Sequence, residues 1–207
     1  MNHSPYASEA TNTIYNLLFC DDLELYRAKF ESEPEGPWKV LFAQPPNTDA
    51  LRALAKTSSE ESRVRLLAFN ALDRKAAATH PKELLGVVIE VGLDDGLDTL
   101  AAYRDLTARY INHSGKMVIW ETTEPAVDEK IRNLLVAAEN VVEKIGPWDK
   151  ARLPPPEGLM RMTFLVSDGL YFGQGPMEAL QSDPLAAPVV ATATELLLEL
   201  TKRATAT

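Results

Sequence analysis

Cysteine and histidine are scarce in this sequence, which contains one cysteine, Cys20, and three histidines, His3, His80 and His113. One cysteine cannot form an intramolecular disulfide, which favours a reducing, cytoplasmic location. The histidines lie far apart in the sequence and form no pair at i, i+4 spacing, so the pattern does not indicate a zinc site. We therefore predict that the protein binds no metal and needs no cofactor.

Long apolar runs and an excess of positive charge are also missing. No apolar run approaches the roughly 18 residues typical of a membrane span. The net charge of −9 argues against binding to nucleic acid or to an anionic membrane, because both depend on a basic surface. Residues 1–5 include no basic region leading into an apolar segment, so no secretory signal is expected. The sequence predicts an acidic cytoplasmic protein that binds neither nucleic acid nor membrane.

The overall composition is that of an ordinary globular protein. Of the 207 residues, 45% are hydrophobic and 25% are charged, and the chain is long enough to bury a sizeable core. Residues 1–10 are polar, and we expect them to be a disordered N-terminal segment. We expect residues 11–207 to form a single α+β domain.

The middle of the chain predicts an antiparallel sheet. Leu84–Val91 is a short, β-branched apolar run, typical of a strand that is buried on both faces. Leu97–Tyr103 fits either a helix or a strand, and we favour a strand because a polar turn and the alternating residues Ala108–His113 follow it. After a second turn, Met117–Glu121 indicates another strand with two apolar faces. Short connections favour pairing between neighbours, so we predict a β-meander.

Two later segments extend this architecture. Pro125–Ile145 repeats apolar residues at helical spacing, with proline at its start and Gly146–Pro147 at its end. Met160–Phe172 predicts a hairpin with a turn at Ser167–Gly169, and Leu185–Lys202 predicts a final helix. The predicted fold class is therefore α+β, an antiparallel β-meander sheet with amphipathic helices packed on it.

The N-terminal third predicts shorter elements. A helix is expected from Thr11 or Asn12, and a short strand is expected at Trp38–Phe42. The remaining expectations are a helix capped by Asn47 or Thr48, a helix that starts at Ser58 or Ser59, and a small-residue connection at Ala76–Pro81.

One cluster of polar residues in the central stretch suggests a site. Arg109, Asn112, His113 and Lys116 place cationic and hydrogen-bonding groups within eight residues, beside a glycine turn. Such groups suit an anionic or carbonyl-bearing ligand. The alternative interpretation is a polar outer face followed by a solvated turn.

The glycine-rich stretch Gly169–Pro176 suggests further ligand contacts from Tyr171 and Gln174. Glycines before a helix can bind phosphate through backbone N–H groups. The spacing matches neither the dinucleotide-binding pattern nor the P-loop, so close packing of a hairpin against a helix is the favoured interpretation.

The segments Ala108–Lys116 and Gly169–Pro176 also resemble parts of a family of uncharacterised bacterial proteins. The resemblance covers most of the chain. It implies a bacterial origin and carries no activity that could be transferred to this protein.

Two functions are compatible with the sequence. The first is a non-enzymatic cytoplasmic binding or interaction module that self-associates, as a homodimer, or binds a protein partner. The second is a protein or enzyme that binds a small molecule through the six residues Arg109, Asn112, His113, Lys116, Tyr171 and Gln174. Whether the protein is an enzyme is left open.

Overall fold

Six antiparallel strands form one sheet in the computed structural model, which describes residues 3–30, 32–72 and 82–204. The strand order is β4-β3-β2-β1-β5-β6. The strands are β1 (Leu84–Leu93), β2 (Gly96–Tyr103), β3 (Ala108–Ile111), β4 (Met117–Trp120), β5 (Leu159–Val166) and β6 (Gly169–Pro176). The predicted meander is therefore confirmed, and the predicted hairpin extends it because β5 pairs with the free side of β1.

Strand β1 lies at the centre of the sheet, as its apolar sequence predicts. It pairs with β2 on one side and β5 on the other, and most of its residues are buried. The ambiguous stretch Leu97–Tyr103 is a strand, which a tight turn at Gly96 joins to β1. Gly96 has a φ of +150°, and an added Cβ there would lie 2.9 Å from the carbonyl oxygen of His113, so the turn requires glycine.

Helices cover both faces of the sheet. On one face lie α6 (Pro125–Val142), α7 (Met177–Ser182) and α8 (Ala186–Ala204), which bury an apolar core against β1, β2 and β5. On the other face lie the N-terminal helices α1 (Glu9–Leu17), α2 (Leu23–Arg27), α3 (Pro37–Leu41), α4 (Thr48–Lys56) and α5 (Ser62–Ala71). The architecture is α+β, with the sheet between two helical layers.

The stretch predicted as a strand at Trp38–Phe42 is instead helix α3. Pro37 occupies its first turn, where the missing N–H costs no hydrogen bond. The Trp38 ring stacks on Tyr26 with a centroid distance of 5.7 Å, and Phe30 and Phe42 complete an aromatic cluster. These tertiary contacts override the strand propensity of the short apolar run.

Strand β4 lies at the sheet edge, which differs from the prediction of a strand buried on both faces. None of its four residues is fully buried, and Ile119 is 54% exposed. An edge strand has a neighbour on one side only, so its side chains are less covered.

Two predicted helix starts in the N-terminal part are also displaced. Helix α1 begins at Glu9 with Ser8 as its cap, and α5 begins at Ser62 rather than Ser58 or Ser59. Asn47 caps α4 as predicted, and its side chain accepts a hydrogen bond from the N–H of Ala50.

The chain before α1 packs against the sheet where the sequence suggested disorder. Tyr6 is 5% exposed, and its hydroxyl lies 2.9 Å from Oγ1 of Thr99 on β2. The connection predicted at Ala76–Pro81 lies outside the described residues. Among the helices that the structure describes, none combines the length and hydropathy needed to cross a membrane.

Candidate functional site

An apolar cleft of about 220 Å³ lies between the sheet and helix α8. Strands β1, β2, β3 and β5 form its floor, and α7 and α8 form its walls. The lining residues are Ile89, Val91, Asp98, Leu100, Tyr110, Met160, Met177, Val190, Ala193, Thr194 and Leu197. We call this cavity the α8 cleft.

The α8 cleft has one polar end, formed by Asp98 and Tyr110 on neighbouring strands. One carboxylate oxygen of Asp98 accepts a hydrogen bond from the Tyr110 hydroxyl at 2.9 Å. The other accepts one from the backbone N–H of His113 at 2.7 Å. The Asp98 side chain is 28% exposed, so its carboxylate can accept a further hydrogen bond from a molecule in the cleft.

Tyr110 acts here as a neutral hydrogen-bond donor. Burial and the hydrogen bond to Asp98 raise the pKa of Tyr110 well above its usual value. The His113 ring lies between two carboxylates, with Nε2 3.6 Å from Asp95 and Nδ1 3.6 Å from Asp98. The end of the cleft therefore presents negative charge.

A compact turn presents His113 at this end of the cleft. The Asn112 side-chain oxygen accepts hydrogen bonds at 2.9 Å from the N–H of Lys116 and from the Ser114 hydroxyl. Gly115 adopts a φ of +82°, which favours glycine. The chemistry that made this stretch a turn candidate in the sequence thus also fixes its position beside Asp98.

The six residues predicted as a site lie in separate places. Asn112, His113 and Lys116 share the turn beside the α8 cleft. Arg109 is 4% exposed on the opposite sheet face, where it forms an ion pair with Glu121 and donates a hydrogen bond to the Trp120 carbonyl oxygen.

Tyr171 and Gln174 lie on β6, which is the edge strand at the end of the sheet opposite β4. Tyr171 is buried and its hydroxyl donates a hydrogen bond to Asp168 at 2.9 Å. Gln174 accepts a hydrogen bond at 2.8 Å from Arg161, which connects it to a second polar cluster.

Sequence reasoning missed Asp98 and Tyr110. In the sequence, Asp98 belongs only to an incomplete calcium-binding motif, and Tyr110 lies between two predicted site residues without a signal of its own. Their hydrogen bond links adjacent strands across 12 residues of sequence. The pairing of β2 with β3 places Leu100 opposite Tyr110 and so brings Asp98 close to Tyr110. A correct prediction of that register would have identified the two residues.

The second polar cluster lies on the opposite sheet face, around Glu90 of β1. Glu90 is fully buried, and one carboxyl oxygen accepts a hydrogen bond from the Tyr15 hydroxyl at 2.5 Å. Its other oxygen has no hydrogen-bond partner among the described residues. Burial raises the pKa of Glu90 to about 7, although the Tyr15 hydrogen bond and the charges of Arg152 and Arg161 oppose that change.

Arg152 covers this cluster from the proline-rich connection between α6 and β5. Its guanidinium lies 3.5 Å from the centre of the Phe19 ring, and its Nε donates to Asp21 at 3.2 Å. The connection is held close to β1, because a Cβ on Gly92 would lie 2.2 Å from the Pro156 carbonyl oxygen. The arrangement is a buried network of hydrogen bonds and charges.

A wider polar cleft of about 330 Å³ lies beside this connection, between the ends of α5 and β5. Its lining includes the acidic residues Asp21, Asp149 and Asp168 and the basic residues Lys150 and Arg152.

In the described part of the chain, no group of three or more His, Cys, Asp or Glu side chains is arranged to hold a metal ion. Comparison with known proteins finds no matching family model, no similar curated protein and no similar solved structure.

Proposed function

We propose that this protein is a binding module for a compact, mostly apolar molecule that carries a hydrogen-bond-donating head, such as a primary amine. The observation that carries the proposal is the α8 cleft, which joins apolar walls to the Asp98–Tyr110 pair. Cavities of this kind, with few polar groups at one end, are typical of small-molecule sites.

The size and walls of the cleft favour a small ligand. Its volume of about 220 Å³ is below the roughly 300–1,000 Å³ of pockets for drug-sized molecules. Met160 and Met177 contribute flexible thioethers, which adapt to ligands of different shape. Burial of apolar ligand surface against these walls would supply the affinity.

The charge of the cleft favours a donor at the polar end. Asp98 is the one charged residue among the described residues that line it. A cationic or N–H-bearing group gains a charge-assisted hydrogen bond to this carboxylate, while a ligand carboxylate would be repelled. An anionic ligand, one of the two classes expected from the sequence, is therefore less favoured than a cationic or N–H-bearing ligand.

Three probes of nearly equal size test this preference: 2-phenylethylamine, 2-phenylethanol and phenylacetate. We expect the thermal unfolding midpoint to rise most with the amine, less with the alcohol and least with the carboxylate, with calorimetric affinities in the same order. Equal shifts for all three probes, or a preference for phenylacetate, would contradict the proposed chemistry.

Two variants and one control locate the binding. Asp98→Asn should remove the preference for the amine, whereas Asp94→Asn, in the exposed turn before β2, should leave it unchanged. Ala193→Leu should block all three probes by filling the cleft. Undiminished binding to folded Ala193→Leu protein would place the ligand elsewhere.

Self-association is a second candidate function, favoured by the exposed edge strand β4. Its outer side pairs with no strand among the described residues, and Ile119 is 54% exposed on it. Exposed strand edges promote pairing between chains. Light scattering should then show a homodimer that Ile119→Lys dissociates, and a monomeric wild-type protein at high concentration would exclude this candidate.

The cytoplasmic location and the bacterial origin expected from the sequence stay predictions. Cell fractionation with antibodies to the protein would test the first.

A further inference from the structure

A much smaller cavity lies on the other face of the sheet from the α8 cleft, near the Glu90 cluster. Its volume is about 20 Å³, enough for one water molecule or one atomic ion. Its walls include Trp148, Lys150, Arg152, Arg161, Thr163 and Phe172. Three of these six side chains are cations and none is a carboxylate.

Thr163 contributes an unused hydrogen-bonding group to this cavity. The residue is 2% exposed, and its hydroxyl oxygen has no hydrogen-bond partner among the described residues. A buried hydroxyl without a partner costs about 1–3 kcal/mol. A water molecule or an ion in the cavity could satisfy this group.

The positive charge around the cavity is incompletely neutralised. Arg152 pairs with Asp21 at 3.2 Å, but Arg161 donates to Gln174 and to the Leu153 carbonyl oxygen, which are both uncharged acceptors. None of the ion pairs among the described residues involves Arg161 or Lys150, although the charge of Glu90 acts on Arg161.

The electrostatic field at Arg161 is mixed. Burial lowers the pKa of Arg161, the charges of Glu90 and Tyr15 oppose this change, and the charge of Arg152 makes the smallest contribution. Burial and Arg152 also lower the pKa of His3. Because the pKa of buried Glu90 is about 7, a part of the Glu90 population is uncharged at neutral pH and does not neutralise the guanidinium groups.

We propose that this cavity binds a single monovalent anion the size of chloride, held between Arg152 and Arg161 and hydrogen-bonded by the Thr163 hydroxyl. Two cationic side chains favour an anion over water, because the anion compensates charge that water leaves uncompensated.

Thermal unfolding in sodium chloride and in sodium gluconate at equal ionic strength tests the proposal. Gluconate is too large for the cavity, so equal ionic strength separates site binding from screening. We expect the midpoint to be about 2–4 °C higher at saturating chloride. Crystals soaked in sodium bromide should show anomalous density between the two guanidinium groups.

Matched variants identify the residues that hold the anion. Thr163→Val is nearly isosteric, so it should fold while it weakens the chloride response, and Arg161→Gln should abolish that response. Arg132→Gln, at an exposed arginine on α6, should keep the full response. The amine probe of the α8 cleft should raise the midpoint of all three variants alike, which makes a failure of this proposal distinguishable from a failure of the proposed function.

Equal midpoints in chloride and gluconate, or bromide density only at the protein surface, would overturn the proposal. Water alone would then fill the cavity.

Discussion

The two faces of the sheet are built from the same strands and both bury apolar residues, but the N-terminal face also buries a network of charged and hydrogen-bonding side chains. Toward α6 and α8, strand β1 presents Ile89 and Val91 to an apolar core that contains the α8 cleft. Toward the N-terminal helices, the same strand presents Glu90, which is fully buried beside Tyr15 and Arg152. Because successive side chains on a strand point to opposite faces, one strand serves both environments.

The difference between the faces shows where each kind of stabilisation resides. The face toward α8, here called the apolar face, depends on apolar burial and packing density. Changes in side-chain volume should therefore dominate the response of this face to mutation. The N-terminal face, here called the polar face, combines its apolar core with a network of buried polar groups, so loss of one member of the network should leave others unsatisfied.

The largest effect is expected on the polar face, for Arg152→Ala. This change removes the partner of Asp21 and the cation over the Phe19 ring. Breaking a buried charge pair from one side leaves an uncompensated charge, so we expect a loss of roughly 3 kcal/mol in the free energy of unfolding in urea.

The control for Arg152→Ala is Arg132→Ala, because the Arg132 side chain is 58% exposed and lies 3.9 Å from Asp128. This exposed change should cost less than about 0.5 kcal/mol. Similar losses for the two variants would show that the network around Arg152 contributes no more than a surface ion pair.

The next prediction concerns the pH dependence that Glu90 gives to the polar face. Its pKa is about 7 in the folded protein, whereas the unfolded chain has the ordinary glutamate pKa of 4.5. Below pH 4.5 both the folded and the unfolded protein are protonated at Glu90. As the pH rises from 4.5 to 7 the unfolded chain loses this proton first, so the folded protein binds more protons and becomes less stable.

Glu90→Gln removes this titration while its amide oxygen can still accept the Tyr15 hydrogen bond. Relative to the wild type, the variant should therefore gain stability as the pH rises from about 4.5 to about 7.5. The gap between the two pKa values corresponds to a gain of roughly 3 kcal/mol, and we expect about 2–3 kcal/mol in urea titrations at several pH values.

The matched control for Glu90→Gln is Glu157→Gln, since Glu157 is exposed in the connection before β5. Its stability should follow the wild type across the same pH range. Protonation of His3 contributes equally to all three proteins and cancels in the comparison. A constant difference between Glu90→Gln and the wild type would contradict the raised pKa of Glu90.

Local pattern predicted the apolar face well. Strand β1 and helix α6 follow from the apolar pattern within a short window of sequence, whereas the pattern of β2 was ambiguous and its assignment as a strand came from the turn and the alternating residues after it. The prediction of a strand at Trp38–Phe42 was wrong because an aromatic cluster, in which Trp38 stacks on Tyr26, stabilises a helix there.

The polar network on the N-terminal face, the α8 cleft and the small cavity beside Thr163 could not be predicted from local pattern. Tyr15 and Glu90 are 75 residues apart, and Arg152 reaches Tyr15 from 137 residues away. No local window joins them. A charged residue inside an otherwise apolar strand was the available signal at Glu90, because an ionisable side chain is rarely buried without a partner.

The smallest effect is expected on the apolar face, for Ala193→Leu compared with Ala138→Leu. Ala138 on α6 is fully buried and does not line the α8 cleft, so a larger side chain there should cost about 1–3 kcal/mol through overpacking. Ala193 on α8 is 5% exposed and lines the cleft, so leucine can occupy existing space.

We expect the free energy of unfolding of Ala193→Leu to lie within about 0.5 kcal/mol of the wild type, because the added apolar burial offsets the lost side-chain freedom. Urea unfolding of both variants under one set of conditions gives the difference directly. If Ala193→Leu loses as much stability as Ala138→Leu, the space beneath α8 is already filled by its own side chains. The apolar face would then be a closed core without a cleft. The two faces would differ only in the polarity of the side chains that they bury.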